Sequence, residues 1–263
     1  TTEIYTLSLH DALPIWLFLF AALPLVKIVR EDDKIMRTIT KNMTGVVQFE
    51  SKDSDLAAHL VFANDALEVK RGKHEHPTVS FIFKNLQGLN DFFGGKPALP
   101  AAVKGLYRLD LIARTVPLLL SLKLLMPNAD PQKPEKRTLK VKLLIYMITT
   151  ALSQLNKAGE EGMVKMTKTS PDRIYQWVVQ GEGGPSAYLR MKAGKTKSGR
   201  GVYTRRRPFV LMKFSDIEGA YQVLTSKAAL VDAVKKGYVV TEGAMEYSKE
   251  IGLRMQFVEE LLA

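Results

Sequence analysis

Two stretches of the chain carry the same succession of positions, alternating apolar and polar residues first and helically spaced ones after. In the first, residues 45–50 and 57–69 read as extended, with Asn64-Asp65 as a tight turn, and residues 78–83 read as a third short strand. Residues 174–180, 187–193 and 209–214 take the same places in the second. After each third strand the apolar residues return at helical spacing, over Leu86–Phe93 and Ile217–Leu224, and a further short helix is predicted at 98–103 and 229–234. Each stretch is preceded by an apolar run. The run at 139–155 reads as a helix stopped by Gly159. The run at 16–29 holds Pro24, which kinks or starts a helix, and it is too short to span a membrane alone. It is expected to be a helix docked on the first domain or the remnant of an anchor. Residues 245–262 alternate at first and then turn helical. Strands grouped ahead of helices predict an α+β fold with a mainly antiparallel sheet in each half.

The two stretches are related by more than pattern. Aligned at an offset of 131, residues 77–104 and 208–235 are identical at ten of 28 positions, among them Val79/Val210, Phe83/Phe214, Gly88/Gly219 and Val103/Val234. Average composition gives roughly two by chance. Upstream, VVQFE at 46–50 echoes VVQGE at 178–182. The reading is two copies of one domain, at 16–127 and 139–263. Residues 128–138, which hold Pro131 and Pro134 just after Pro127, are expected to form a semi-rigid linker.

Residues 1–15 are expected to lie outside the fold. Back-translated, TTEIYTLSLHDALPI resembles a sequencing-adapter oligonucleotide, in frame throughout, so Glu3, His10 and Asp11 are set aside with it.

The balance of 38 Lys+Arg against 27 Asp+Glu gives a formal charge of +11, and there is no cysteine. A disulfide scaffold, a zinc-thiolate site and a thiol nucleophile are thereby excluded. The basic excess favours an anionic partner: a lipid headgroup, an acyl-CoA phosphate or nucleic acid.

From the third strand onward each half resembles the sterol carrier protein 2 family of lipid-binding domains. In the second half the resemblance runs through Lys213-Phe214, Asp216, residues 217–224 and 229–234, Lys235-Lys236-Gly237, residues 238–241, Gly243 and Ala244-Met245. The first half has Asn85 at the acidic position and Lys104-Gly105 at the helix end, then departs from the pattern over 106–127. The resemblance implies a five-stranded sheet covered by helices, with an apolar tunnel for a sterol, fatty acyl chain or phospholipid. It implies carriage of lipid without catalysis or a cofactor, and the better pocket is expected in the second half.

Candidate lipid-binding residues follow from the predicted inward faces. They are Phe81, Phe83, Phe92, Phe93 and Leu99 in the first half, and Met212, Phe214, Ile217, Leu224 and Leu230 in the second, with Met245, Met255 and Phe257 near the C-terminus. Methionines suit a pocket that repacks around a flexible chain. A second candidate surface is the acid-free basic run at 192–207, with Lys192, Lys195, Lys197, Arg200, Arg205, Arg206 and Arg207 on a glycine-rich hairpin or loop. It is placed to meet an anionic membrane surface. Tyr203 is its one aromatic, which argues against base stacking and nucleic acid. Ala193-Gly194-Lys195-Thr196 lacks the leading glycine of a phosphate loop, since position 189 is Leu. His74 and His76 have no evident third partner for a metal site. The expected function is non-enzymatic lipid binding or transfer in the cytoplasm, at times on a membrane. The alternative is a basic scaffold that meets a membrane or nucleic acid without a lipid cargo.

Overall fold

The structure, a computed structural model, describes residues 9–262. The chain divides into two compact units at Lys123 and Leu124.

Unit 1 begins with α1 (Leu9–Leu17), which runs on through a π-helical turn (Phe18–Ala22) and a 3₁₀ turn (Leu23–Leu25) into α2 (Val26–Asp32). Pro24 causes the irregularity: it has no N–H to give to the preceding turn, and the ladder widens so that Leu23 N–H donates to Phe18 O. Two expectations are corrected here. The helical path Ala12–Asp32 is long and apolar enough, by length and composition alone, to cross a membrane, although most of it is buried within the unit. Leu13 and Ile15, in the segment set aside above, are 3% and 1% exposed and belong to the core. Residues 1–8 lie outside the described part.

A short α3 (Lys34–Ile39) leads into β1 (Gly45–Ser51), β2 (Ala57–Ala63), β3 (Ala66–Arg71), β4 (Val79–Phe83), α4 (Leu86–Phe93), β5 (Ala102–Lys104) and α5 (Leu109–Leu120). Asn64 and Asp65 both take positive φ, which closes the β2–β3 hairpin as expected. The sheet order is β3-β2-β1-β4-β5. β1 and β4 run parallel, so the sheet is mixed rather than antiparallel throughout. The reason is the connection: from the edge strand β3 the chain crosses the sheet to the far side of β1 instead of turning back beside β3.

Unit 2 repeats this plan with α6 (Pro134–Ala158), α7 (Glu161–Lys168), β6 (Arg173–Val179), β7 (Ser186–Lys192), β8 (Lys195–Arg200), β9 (Val210–Phe214), α8 (Ile217–Leu224), α9 (Leu230–Lys235), β10 (Val239–Gly243) and α10 (Met245–Leu262). Its sheet order, β8-β7-β6-β9-β10, matches unit 1 strand for strand, with the parallel pair again in the middle. Gly159, at φ 88°, ends α6 as expected. Pro134 is the first helical residue of α6, where a missing N–H costs nothing. The stretch before it is tied to unit 2: Lys140 Nζ donates to Met126 O and Ala129 O, and Asp130 accepts from Tyr221 Oη.

Register corrects the alignment in two places. Val47 and Tyr175 occupy the same position, each beside the first residue of the parallel partner. On that register Val178 matches Glu50, so the VVQFE and VVQGE strings are out of step and their likeness is not structural. Val103 pairs with Phe81 in β5, whereas Val234 lies in α9. The helix expected at 98–103 does not form, because Pro100 disfavours the helical conformation at Leu99. Leu99 is 89% exposed. The second half has no such proline and keeps its helix. The alternation expected from residue 245 is also absent, since α10 is helical from Met245 onward.

Candidate functional site

The α4 and α8 starts coincide in detail. Asn85 Oδ1 accepts from Gly88 N–H at 2.9 Å, and Asp216 Oδ1 accepts from Gly219 N–H at 2.7 Å. A short polar N-cap orients each helix over the parallel strands. A Cβ at Gly219 would come 2.4 Å from Ser215 Oγ, so glycine there lets the helix sit close.

The sheet face under these helices is the candidate lipid layer, and its filling differs between the units. In unit 1 the layer is aromatic. Phe49 stacks on Phe81 at 5.3 Å and meets Phe93 edge-on at 5.3 Å, Phe18 stacks on Phe93 at 5.8 Å, and Phe92 packs on Phe83 at 5.2 Å. Phe81 and Phe83 are buried and Phe92 and Phe93 half-buried. These candidates thus pack mainly on one another. In unit 2 the matched positions hold Trp177, Met212 and Leu224. Trp177 is beside Met212 across the parallel pair, and Phe214 is fully buried further along the same face. Met212, Ile217 and Leu224 are half-buried. Trp177 Nε1 is buried with no hydrogen-bond partner, and the buried Tyr175 Oη lies close to the Arg173 guanidinium. Burial pushes the Tyr175 phenol up to about 12.

The C-terminal candidates fare differently. Met255 and Phe257 are half-buried, but Met245 is 58% exposed and does not line the layer. The stripe that α10 buries is Ile251 and Val258, one heptad apart, which follows from its helical rather than alternating start. The side chain of Leu230 lies outside the described part.

On the opposite sheet face both units share a second device. In unit 1 the buried Gln48 accepts from the His74 backbone N–H at 2.6 Å, and the His59 and His74 rings meet edge-on at 5.2 Å. In unit 2 the buried Gln176 accepts from Tyr203 N–H at 3.1 Å, and Tyr188 and Tyr203 meet edge-on at 4.9 Å. Gln48 and Gln176 are matched by register, as are His59 and Tyr188. Each glutamine fastens the loop that carries the chain from the third strand across to the fourth. His74 therefore has a structural role, and no group of three metal-ligating side chains occurs among the described residues.

The basic run forms β8 and the loop after it. Ala193 and Gly194, at φ 46° and 77°, make the hairpin turn. Lys192, Lys195, Lys197, Arg200, Arg205, Arg206 and Arg207 are all exposed. Arg206 pairs with Asp172 at 3.3 Å, and Arg200 lies over the Tyr146 ring at 5.0 Å. Sequence reasoning missed Arg190, whose guanidinium forks onto Asp172 at 2.7 and 2.6 Å. The signal was present: Arg190 alternates with Lys192 on one strand face. Trp177 and Tyr175 were missed as well, because only the fold sets them beside Met212 and Val210 on β9.

No family model matches the sequence, and no curated protein matches it. Among solved structures, the chain is similar to sterol carrier protein 2 like 2 from Aedes aegypti, at 14% identity and a TM-score of 0.28, over 44% of this chain and 95% of that one. Sterol carrier protein 2 from Yarrowia lipolytica gives 13% identity and a TM-score of 0.28, over 39% and 92%. The sec-alkylsulfatase Pisa1 from Pseudomonas sp. gives 16% identity and a TM-score of 0.25, over 56% of this chain and 28% of that one. Likenesses this low decide nothing about activity.

Proposed function

We propose that the chain is a non-enzymatic lipid-binding or lipid-transfer protein that holds the apolar chain of an amphiphile on the helix-covered sheet face of unit 2. One observation carries the reading. Where unit 1 fills this layer with the stacked rings of Phe49, Phe81 and Phe93, unit 2 has Trp177, Met212 and Leu224, two of them half-buried, with Trp177 Nε1 an unpartnered donor among them. A buried donor without a partner costs on the order of 1–3 kcal/mol, and a ligand oxygen would satisfy it. Flexible aliphatic side chains yield to a lipid tail where stacked phenyl rings do not. The sterol-carrier resemblance of residues 213–245 points the same way. Burial of the tail contributes roughly 0.8 kcal/mol per methylene before association costs, enough for micromolar binding of a sixteen-carbon chain.

The test is displacement of a fluorescent fatty acid, together with lipid extraction from the purified chain. Met212→Phe with Leu224→Phe rebuilds the unit 1 filling in unit 2. This double variant is expected to stay folded and to lose probe binding. Unchanged binding by the folded variant, or no probe binding by the parent chain, would overturn the proposal.

A further inference from the structure

We infer that unit 2 carries a binding site for a phosphate monoester on the sheet face opposite the lipid layer, in the cleft between β7, β8 and the loop after β8. The inference stands independently of the lipid reading. The cleft has a volume of about 260 Å³ and is lined by Tyr188, Arg190, Lys197, Tyr203 and Arg205, among others.

The first argument is a pairing that the fold alone disfavours. Arg190 and Lys197 are directly opposite across the antiparallel β7–β8 ladder, and one step along the same face Lys192 is opposite Lys195. Like charges in directly paired positions repel. Unit 1 shows that the architecture does not require them, because the same register there holds Val61 opposite Glu68 and Ala63 opposite Ala66. The framework is common to both units and the four-cation ladder belongs to unit 2. An anion resting on the ladder removes the repulsion.

The second argument is that the cations and the wall are already in place. The Arg190 guanidinium is fixed by its two hydrogen bonds to Asp172, which leaves its third nitrogen for a ligand. Asp172 also pairs with Arg206, so one carboxylate serves two arginines and the excess charge in the cleft stays positive. Tyr188 lies over Gly199, where a Cβ would come 2.3 Å from the ring, so glycine is what allows the ring to lie down. Tyr203 closes against it, with its backbone held by Gln176. Two tyrosines with Arg190, Lys197 and Arg205 make a site for an anion with a small attached group, and Lys192 and Lys195 extend the positive charge beyond the cleft. The volume is below the roughly 300–1,000 Å³ of pockets that enclose whole drug-sized ligands, which suits a headgroup-sized phosphate. A free phosphate ester and the headgroup of phosphatidic acid present the same chemistry.

The experiment uses the full chain. Inorganic phosphate and glycerol 3-phosphate are titrated by calorimetry, and co-sedimentation is measured with phosphatidylcholine vesicles with and without phosphatidic acid. Lys197→Glu installs the unit 1 residue type opposite Arg190, and Lys249→Glu makes the same charge change on α10. Lys197→Glu is expected to raise the melting temperature while weakening phosphate binding by about tenfold, and Lys249→Glu to leave binding unchanged. Binding of the free esters assigns the site to soluble ligands, and binding of phosphatidic acid vesicles alone assigns it to a headgroup; each supports the site. The inference is overturned if neither is bound, or if both variants weaken binding equally. It is also overturned if a single-stranded oligonucleotide binds in a Lys197-dependent way that phosphate does not compete.

Discussion

Arg71 and Arg200 occupy the same position on the third strand of their sheets, and each lays its guanidinium over an aromatic ring of the helix that covers the sheet. Arg71 is 4.4 Å from the Phe20 ring centre and Arg200 is 5.0 Å from Tyr146. The match follows from register, Arg71 facing Ala58 and Arg200 facing Ala187. Partial desolvation by the ring lowers the Arg71 pKa, although the residue as a whole stays exposed. Arg71→Leu keeps an apolar stem and removes the charge. It is expected to destabilise unit 1 by about 0.5–1 kcal/mol in urea unfolding, with no effect on binding in unit 2.

Gln176 is expected to matter more than its single hydrogen bond suggests. Gln176→Leu leaves the Tyr203 N–H without its partner and frees the loop that walls the basic cleft. A loss of about 1–3 kcal/mol in chemical unfolding is expected, with faster hydrogen exchange over residues 201–205. Gln48→Leu should do the same to the loop at His74.

The salt link at Asp172 sets a pH dependence. The hydrogen bonds from Arg190, with its charge and that of Arg206, hold this carboxyl below the ordinary aspartate range of about 3.9. A depressed carboxylate contributes its stability in full above the unfolded pKa and loses it as the pH falls through the folded one. Asp172→Asn is therefore expected to lower the melting temperature at neutral pH. It should also flatten the fall in melting temperature between about pH 5 and pH 2. Parallel melting curves across that range would rule out the link.

Ile15 is expected to be structural. It is 1% exposed in α1, and Ile15→Ala should cost about 2–4 kcal/mol by loss of packed volume. No change in stability would place Ile15 outside the fold, with the rest of the segment at 1–15.

Much of this was legible in the chain. The strands at 45–50 and 174–180, the Asn64-Asp65 turn and both capped helices could be read from local pattern, because each is decided by residues within a few positions of one another. What escaped was decided at a distance. The parallel partnership of β1 and β4 depends on a crossover that no local signal announces. Ala98–Val103 carried the letters of a helix, and Pro100 overrode them. Of the site, the residues on β9 and α8 were found by alternation and helical spacing. Tyr175, Trp177 and Arg190 were not, since their importance lies in the strand set beside them. Met245 was chosen by an alternation that the helix does not follow.

The middle strand of each sheet has a further consequence. β1 and β6 are flanked on one side by a local hairpin, which forms early, and on the other by a strand that arrives only after the crossover has closed. Until then each unit presents one bare apolar edge. A chain that bears two such edges of identical topology has two ways to complete each sheet, the right fourth strand or that of its twin. Refolding from denaturant is expected to divide between a fast track and a slow one that must undo the exchange. Each unit expressed alone, if it folds, should show only the fast one.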